Sequence, residues 1–400
     1  MKHWSSYLLK HKGKYTNLEF PSTPNVDIVV VIPCYNEPDV LNTLQCLKGC
    51  VMPEATVLIA VVINSGEQAI ETVLSQNRLT YEEVKRFSDL NNNSNLIFYP
   101  ILCENLPKKH AGVGLARKIG MDLAIHHFKS TSKSRGIIIS LDADCSVSLN
   151  FLESIHFEFS RNNKLNATIH NFHHRVGDGF KGMLKNGQKL RRNYIGIENA
   201  VRQYETYLRY FSNTLKDIGF PYYYHTIGSA FAVSADAYVR VGGMGRQQGG
   251  EDFYFLQKIF QIGGVMELKD TYVYPMARFS DRVPFGTGPA LQKIMEESDG
   301  VMRVYSKQSF CELKKLFDMS DGFFRKSAND IIKLYNHLHP ALISFLQESN
   351  FEADLEDCNN NCANLKSFKK RFYHHFNTFK IIKYLNYVHP SPFSYEKLKV

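Results

Sequence analysis

The sequence contains no long apolar run. None approaches the ~18 consecutive apolar residues that a membrane-spanning helix needs. The first twenty residues are polar and lack the apolar centre of a secretory signal peptide. The eight cysteines do not form paired zinc-finger spacings: Cys358 and Cys362 are separated by three residues, and no second Cys or His pair stands at a suitable distance. We therefore expect free thiols and a protein located in the cytoplasm.

The overall composition is that of an ordinary soluble globular protein, with 44% hydrophobic and 22% charged residues. A chain of 400 residues is long enough for two or three domains with a sizeable core. The net charge of +9 suits a phosphorylated substrate or an anionic surface. It is modest for a nucleic-acid-binding protein, so we expect no nucleic-acid partner.

The most informative stretch is 137–145, in which an apolar run ends in Asp142, Ala143 and Asp144. Three consecutive isoleucines after Gly136 predict a buried strand of a largely parallel sheet. Ligands of open α/β sheets bind beyond the carboxyl ends of the strands, which is where the two carboxylates lie. Hard oxygen ligands favour Mg²⁺ or Mn²⁺, so the pair predicts a metal site that presents a diphosphate. A pair of aspartates that only caps a turn is the alternative.

Two more strands precede this stretch, each followed by polar residues. The first covers 27–32 and the second 56–63, and a short third strand is expected at 95–99. Alternation of strands and helices predicts an α/β fold with a parallel sheet, in which the ends of the strands share one edge. Polar residues that follow the first two strands, and are therefore expected on the same edge as Asp142, include Tyr35, Glu37 and Asn64.

A basic segment, 108–118, opens the next predicted helix. Its Gly112-Val113-Gly114 resembles part of a dinucleotide-binding motif, but the sixth position is Arg117 rather than glycine. Lys109 and Arg117 at a helix start suit an anionic diphosphate. A solvated basic loop is the alternative.

Two later segments carry further candidate residues. Glu251 and Asp252 follow two glycines and open an amphipathic helix. They either stabilise the helix N-terminus or supply a general base. Arg278 and Arg282 lie in a Gly/Pro-rich loop, where they either bind phosphates or a carboxylated acceptor, or pair with nearby acids.

The last part of the chain, 290–400, is predicted to be mostly helical and shows no catalytic pattern. Beyond Cys362 it has eight Lys or Arg residues against one Glu, with aromatic residues at helical spacing. This tail could lie on an anionic membrane surface, but we favour packing on the rest of the protein. The predicted organisation is an extension, 1–25, then a catalytic domain, 26–289, whose nucleotide-sugar half ends near 150 and whose acceptor half follows, and finally the helical region.

Together these stretches resemble glycosyltransferase family 2, the large inverting group with the GT-A fold. The matching segments occur in family order between about 27 and 265: Val31-Ile32-Pro33-Cys34-Tyr35-Asn36-Glu37, the helix start at Gly112–Lys118, Leu141-Asp142-Ala143-Asp144, Gly228-Ser229-Ala230-Phe231, and Gly242-Gly243 followed by Glu251-Asp252.

The resemblance implies an enzyme that depends on Mn²⁺ or Mg²⁺. It would move one sugar from a nucleotide-sugar, with a UDP-sugar favoured, to a hydroxyl of a glycan or lipid-linked acceptor in surface glycan or polysaccharide synthesis. Its site residues would be divided between the nucleotide-sugar pocket (Pro33, Tyr35, Glu37, Asn64, Lys109, Gly112, Arg117, Asp142, Ala143), the metal (Asp144, with Asp142) and the catalytic base (Asp252, beside Glu251).

Two features depart from the family pattern. Asn64 stands where the second strand usually ends in an acidic residue, and no histidine follows Phe253 before Gly288 as a later metal ligand. A sugar-1-phosphate nucleotidylyltransferase is a rival interpretation, although it would be expected to have a Gly-rich, Arg-containing loop after the first strand. A non-catalytic protein that binds nucleotide or glycan is the second rival.

Overall fold

The computed structural model describes residues 2–11, 18, 20–21, 25–176, 187–277, 286–297 and 299–399. The chain divides into two compact units. We call the first the sheet unit (Met1–Gly187 and Thr226–Pro289) and the second the helical unit (Gln188–His225 and Ala290–Val400). The predicted class, α/β with a mainly parallel central sheet followed by a helical C-terminal region, is confirmed.

The sheet unit alternates strands and helices over its first half, as the sequence predicts. Its elements before α6 are α1 (Lys2–His11), β1 (Val26–Cys34), α2 (Val40–Lys48), β2 (Thr56–Gly66), α3 (Glu71–Asn91), β3 (Leu96–Leu106), α4 (Val113–Ser130), β4 (Ile137–Ser140), β5 (Ser146–Val147), α5 (Phe151–Arg161), β6 (Ala167–Phe172) and β7 (Arg175–Val176). The helix α6 (Gly187–Asp217) lies almost entirely in the helical unit. The sheet unit then continues with β8 (Phe231–Ser234), α7 (Ala235–Arg240), α8 (Glu251–Ile262), β9 (Val265–Tyr274) and β10 (Met276–Ala277).

Eight of these strands form one sheet in the order β3-β2-β1-β4-β8-β6-β9-β5. The first four are parallel neighbours, with Cys34 opposite Ile63 and Val31 opposite Ser140. β8 runs antiparallel to β4, so Phe231 pairs with Ser140. The carboxyl ends of β1, β2 and β4 therefore meet at one edge, as expected for right-handed crossovers.

Continuous apolar runs form the centre of the sheet because helices cover both of its faces. Nearly every residue of β1 and β2 is buried. α4 lies directly on these strands at Gly120: a Cβ added there would be 2.5 Å from Cγ1 of Val31 and 3.0 Å from Cγ2 of Val62.

One strand boundary differs from the predicted one. β3 extends beyond the expected 95–99 to Leu106, past Pro100, because β3 is a sheet-edge strand and an edge tolerates proline.

The N-terminal helix α1 belongs to the sheet unit. Trp4 is completely buried, and its Nε1 donates to Oδ1 of Asp236 on α7. The Tyr7 hydroxyl donates to Oδ1 of Asp122 on α4 at 2.6 Å, and Lys118 Nζ lies 2.9 Å from the other oxygen of that carboxylate. α1 is thus fixed to both α7 and α4.

The helical unit is built from α6 and from the elements that follow the sheet unit. These are α9 (Thr287–Glu296), β11 (Arg303–Val304), α10 (Lys307–Asp318), a 3-10 turn (Ser320–Phe323), α11 (Ala328–Tyr335), α12 (Pro340–Glu348), α13 (Phe351–Asn361), α14 (Leu365–His375), α15 (Thr378–Val388) and β12 (Glu396–Lys397).

Aromatic rings form much of the core of this unit. Phe368, Phe372 and Phe376, three of the four regularly spaced rings of the basic tail, are at most 2% exposed, whereas Phe379 is 43% exposed. Phe372 and Phe376 stack at a centroid distance of 6.1 Å. Across the described parts of both units, no helix has an apolar stretch long enough to cross a bilayer.

The close contact of α4 with the sheet generates a stability prediction. Gly120→Ala should lower the free energy of unfolding by about 1–3 kcal/mol, because the added methyl group overpacks the two valines. The matched control is Gly49→Ala, whose Cβ would meet no atom closer than 3.4 Å. Urea unfolding of both variants measures the difference, and equal stabilities would contradict the packing described here.

Candidate functional site

The candidate site lies at the sheet edge where β1, β2 and β4 end. The sheet ladder continues past β4, since the Leu141 amide donates to the carbonyl of Val31. Beyond β1 the Tyr35 side chain is 37% exposed, whereas Glu37 is only 2% exposed. The edge thus combines an accessible aromatic ring with buried polar groups.

Asn77, in the middle of α3, connects the ends of β1 and β2. Its Nδ2 donates to the carbonyl of Asn64, and its Oδ1 accepts from the amide of Asn36, both at 2.9 Å. Asn36 has a positive φ of 47°, a conformation that asparagine tolerates. Asn64 is 2% exposed, and its side-chain Oδ1 is buried without a hydrogen-bond partner among the described residues. A buried acceptor of this kind is costly unless a ligand supplies a donor.

The Asp-x-Asp segment is held by its own backbone. The Thr43 hydroxyl donates to the carbonyl of Ala143 at 2.8 Å, and the Cys145 amide donates to the carbonyl of Asp142. Both carboxylates remain partly exposed. Burial, together with the negative charges of Asp144 and Asp142, raises the pKa of the Cys145 thiol, so this thiol stays neutral.

Arg117 joins two of the predicted segments. It lies in the first turns of α4 and is 3% exposed. Its Nη1 donates to Oε1 of Glu251 and its Nη2 to Oδ1 of Asp142 at 2.5 Å. The guanidinium group of Arg117 thus links Asp142 to Glu251, which lies 134 positions beyond Arg117 in the chain. These contacts hold the pKa of Arg117 above its usual range despite the opposing effect of burial.

Two glycines allow this close approach. A Cβ at Gly228 would lie 2.7 Å from both Nη atoms of Arg117 and from Oδ2 of Asp252. A Cβ at Gly114 would lie 2.3 Å from the carbonyl of Gln247 and 2.9 Å from Cγ of Glu251. The start of α4, the turn before β8 and the start of α8 can pack together only because neither position carries a side chain.

Asp252 is a carboxylate with an elevated pKa. Burial is the largest cause and the nearby charge of Glu251 the second, and together they raise the pKa from 3.8 to about 6. Arg117 and a hydrogen bond of 2.7 Å from the Phe253 amide to Oδ1 oppose this rise. The buried positive charge of Arg117 is thus shared by the carboxylates of Asp142, Glu251 and Asp252. Asp252 gains too little from it to offset burial and the charge of Glu251.

The remaining predicted residues are more peripheral or lie outside the described residues. Lys109 is exposed in the loop before α4, and no ion pair to it is found in the described part of the chain. Gly112 is the N-cap of α4, and a Cβ added there would lie 3.4 Å from Cα of Gln248. The Gln248 Nε2 donates to the carbonyls of Lys108 and Ala111. Pro33 is the penultimate residue of β1. Arg278 and Arg282 lie outside the described residues.

Sequence reasoning did not select Asn77, Thr43, Gln248 or Gly114 as parts of this edge. Asparagine is weakly unfavourable in the interior of a helix, so the presence of Asn77 there is a weak indication that its side chain makes a structural hydrogen bond. Thr43 donates one hydrogen bond to a backbone carbonyl and Gln248 donates two, and no sequence pattern predicts such bonds.

Comparisons with known proteins give only distant similarities. No protein-family model matches the chain, and no curated protein matches it. The crystal structure of S. aureus TarS 1–349 in complex with UDP-GlcNAc is similar with a TM-score of 0.42 and 11% sequence identity, over 90% of this chain and 91% of that one.

A second similar structure is the mannosyltransferase PcManGT from Pyrobaculum calidifontis, in complex with GDP-Man and Mn²⁺. It gives a TM-score of 0.38 and 13% identity, over 96% of this chain and 94% of that one. Both TM-scores lie below 0.5, so the functional assignment below depends on the side chains of the site.

The elevated pKa of Asp252 predicts how stability changes with pH. Because the folded protein binds this proton more tightly than the unfolded chain does, wild-type stability should fall as pH rises from about 4 to 6. Asp252→Asn has no such proton, so its stability relative to wild type should increase over that window by about 2 kcal/mol.

Thermal unfolding at several pH values between 4.5 and 7.5 measures this difference. Asp89→Asn, on the exposed surface of α3, is the control and should show no comparable pH-dependent gain. A gain for Asp252→Asn that is the same at every pH would contradict an elevated pKa.

Proposed function

We propose that the protein is a metal-dependent inverting glycosyltransferase of family 2 with the GT-A fold, which transfers a single sugar from a nucleotide-sugar to a hydroxyl acceptor in surface glycan or polysaccharide synthesis. The observation that carries this proposal is the Arg117 cluster. One buried guanidinium holds Asp142 of the Asp-x-Asp segment and Glu251, the residue next to Asp252. A candidate donor-binding group and the residue next to the candidate base are therefore fixed to the same side chain.

The ends of β1 and β2 suit the nucleoside of the donor. The buried Oδ1 of Asn64 is an acceptor without a partner among the described residues. A carboxamide pairs one acceptor with one donor, which matches the N3–H and a carbonyl of uracil. Tyr35 offers a partly exposed ring for stacking. These groups, with Pro33 and Glu37, support a UDP-sugar as donor.

The Asp-x-Asp segment suits a divalent metal. Arg117 engages one oxygen of Asp142, which leaves the other available, and Asp144 is partly exposed two residues later. Carboxylate oxygens are the ligands that Mg²⁺ and Mn²⁺ prefer, so Asp144, assisted by Asp142, would hold the ion. When bound, the ion would supply positive charge for the diphosphate of the leaving group.

The two adjacent carboxylates of α8 have different proposed roles. Glu251 is 1% exposed and accepts from Arg117, so it is suited to positioning. Asp252 has a pKa of about 6, which is close to the value that favours a general base at neutral pH. We assign Asp252 to remove the proton from the acceptor hydroxyl as its oxygen attacks the anomeric carbon. The bond to the diphosphate breaks at the same carbon, which inverts its configuration.

Arg117 acts in this proposal as a positioning residue rather than as a phosphate ligand, because both of its Nη atoms are engaged by carboxylates. Phosphate contacts would then come from Lys109 in the exposed loop before α4, with Gly112 at the helix N-terminus. Arg278 and Arg282 remain proposed for the acceptor or the phosphates.

The proposal also covers the domain boundaries, the acceptor, the location of the protein and a membrane contact. The catalytic domain would span 26–289, with a glycan or lipid-linked acceptor bound by its second half. None of the eight cysteines is in a disulfide, which supports a cytoplasmic location. Exposed Phe379 with Lys383 above its ring supports a peripheral contact of the tail with an anionic membrane.

Donor binding gives a direct test of the nucleotide and the metal. UDP with Mn²⁺ should raise the melting temperature of the wild type more than GDP, CDP or dTDP does, because a ligand that binds only the folded state stabilises it. Asp144→Asn should lose the Mn²⁺-dependent part of the shift, and Asp89→Asn should keep it. A full UDP shift without Mn²⁺, or one retained in Asp144→Asn, would contradict the metal site.

The assignment of the base gives a second test. Asp252→Asn should bind UDP and Mn²⁺ as wild type does but reduce the rate of sugar transfer by about 10²–10⁴-fold, the usual contribution of general-base catalysis. The wild-type rate should rise with pH through about 6 as Asp252 loses its proton. Turnover of the variant within tenfold of wild type would remove Asp252 from this role.

A further inference from the structure

A second cluster of ligating side chains lies in the helical unit, on α13 and α14. Single ligand atoms of Asp357, Cys358 and His375 all lie within 4.8 Å of one another. The Cys358 side chain is completely buried, and the other two are partly buried. A carboxylate, a thiol and an imidazole at this spacing are the donor types that zinc prefers.

The groups around the cluster orient it. His375 Nδ1 lies 3.1 Å from Oδ1 of Asp354, while Nε2 lies 2.6 Å from Oδ2 of Asp357. Arg371 donates twice to Asp357, at 2.6 and 2.9 Å, and Lys380 donates to Asp354 at 2.5 Å. In metal sites a ligating histidine usually donates its second ring N–H to a carboxylate, which fixes its orientation. Asp354 stands in that position.

We propose that Asp357, Cys358 and His375 bind one zinc ion, with Asp354 and Arg371 orienting His375 and Asp357. Cys362 is the C-cap of α13, one turn beyond Cys358, and would complete the set of four ligands once its side chain moves toward the other three. The ion would join the end of α13 to the end of α14. This site lies within the helical unit and does not depend on the proposed transferase activity.

Zinc binding at this position would displace protons to solvent. The Cys358 and Cys362 thiols would each lose a proton as their sulfurs bind the ion, and His375 would bind through the lone pair of Nε2.

The surroundings indicate a structural rather than a catalytic ion. The gap beside Cys358 and His375 is too small for a water molecule, and its apolar lining is Phe351, Leu355, Phe372 and Phe376. A catalytic zinc needs a coordination position open to water or substrate, whereas a structural zinc is enclosed by four protein ligands. We therefore expect the ion to stabilise the helical unit, in proportion to its concentration and affinity.

The test begins with the purified full chain. After treatment with a chelator, the protein should take up one equivalent of Zn²⁺ by elemental analysis, and its melting temperature should rise. Co²⁺ in place of Zn²⁺ should give the near-ultraviolet absorption of a thiolate–cobalt bond and visible bands of tetrahedral coordination. A wild-type chain with no stoichiometric metal, no melting shift and no thiolate–cobalt absorption would overturn the proposal.

Variants then identify the ligands. Cys358→Ser and His375→Gln should lose the thiolate–cobalt absorption or the binding, whereas Cys311→Ser, at an exposed cysteine, should retain both. Asp354→Asn should weaken Zn²⁺ binding about 10–100-fold, as is usual for carboxylates behind a metal-bound histidine. Unchanged binding in Cys358→Ser would overturn the site. If that variant fails to fold, the wild-type Co²⁺ spectrum and the Zn²⁺ affinity of Asp354→Asn test the site instead. Absence of the thiolate–cobalt absorption, together with an unchanged Zn²⁺ affinity, would then overturn it.

Discussion

The structure of the candidate site depends on one buried guanidinium. Arg117 brings together the start of α4, the end of β4 and the start of α8 by donating to Asp142 and Glu251. Removing a charge from water is expensive, and only close opposite charges offset the cost. Three carboxylates surround this single cation, so the cluster retains excess negative charge. Burial, and after it the nearby charge of Glu251, is why Asp252 holds its proton more tightly than an ordinary aspartate does.

The parallel part of the sheet and the edge that carries the site could be predicted from the sequence. Apolar runs such as 28–32 and 137–139 specify buried strands, and the crossover rule then places the residues after β1, β2 and β4 on one edge. The order of β8, β6 and β9 could not be predicted in the same way, because β8 is antiparallel to β4 and β6 whereas β6 and β9 are parallel, and no sequence pattern reports this change of direction.

Candidate residues of the site could be listed from the sequence, but their arrangement could not. In the structure Arg117 contacts Asp142 and Glu251, a link between distant segments that no local pattern predicts, since its helix starts against α8. That approach depends on Gly114 and Gly228, whose importance comes from atoms distant in the chain. Local sequence patterns report on periodicity and turns, and they do not report on which distant surfaces come within van der Waals contact.

The N-terminal helix has a practical consequence for anyone who shortens this protein. A version that starts at β1 would look complete from the strand pattern, yet it would uncover the apolar surface on which Trp4 lies. It would also remove the Tyr7 hydroxyl from Asp122, one turn beyond Arg117 on α4. Such a truncation would be expected to aggregate, because newly exposed apolar patches associate. Purification tags are therefore better placed at the other end of the chain.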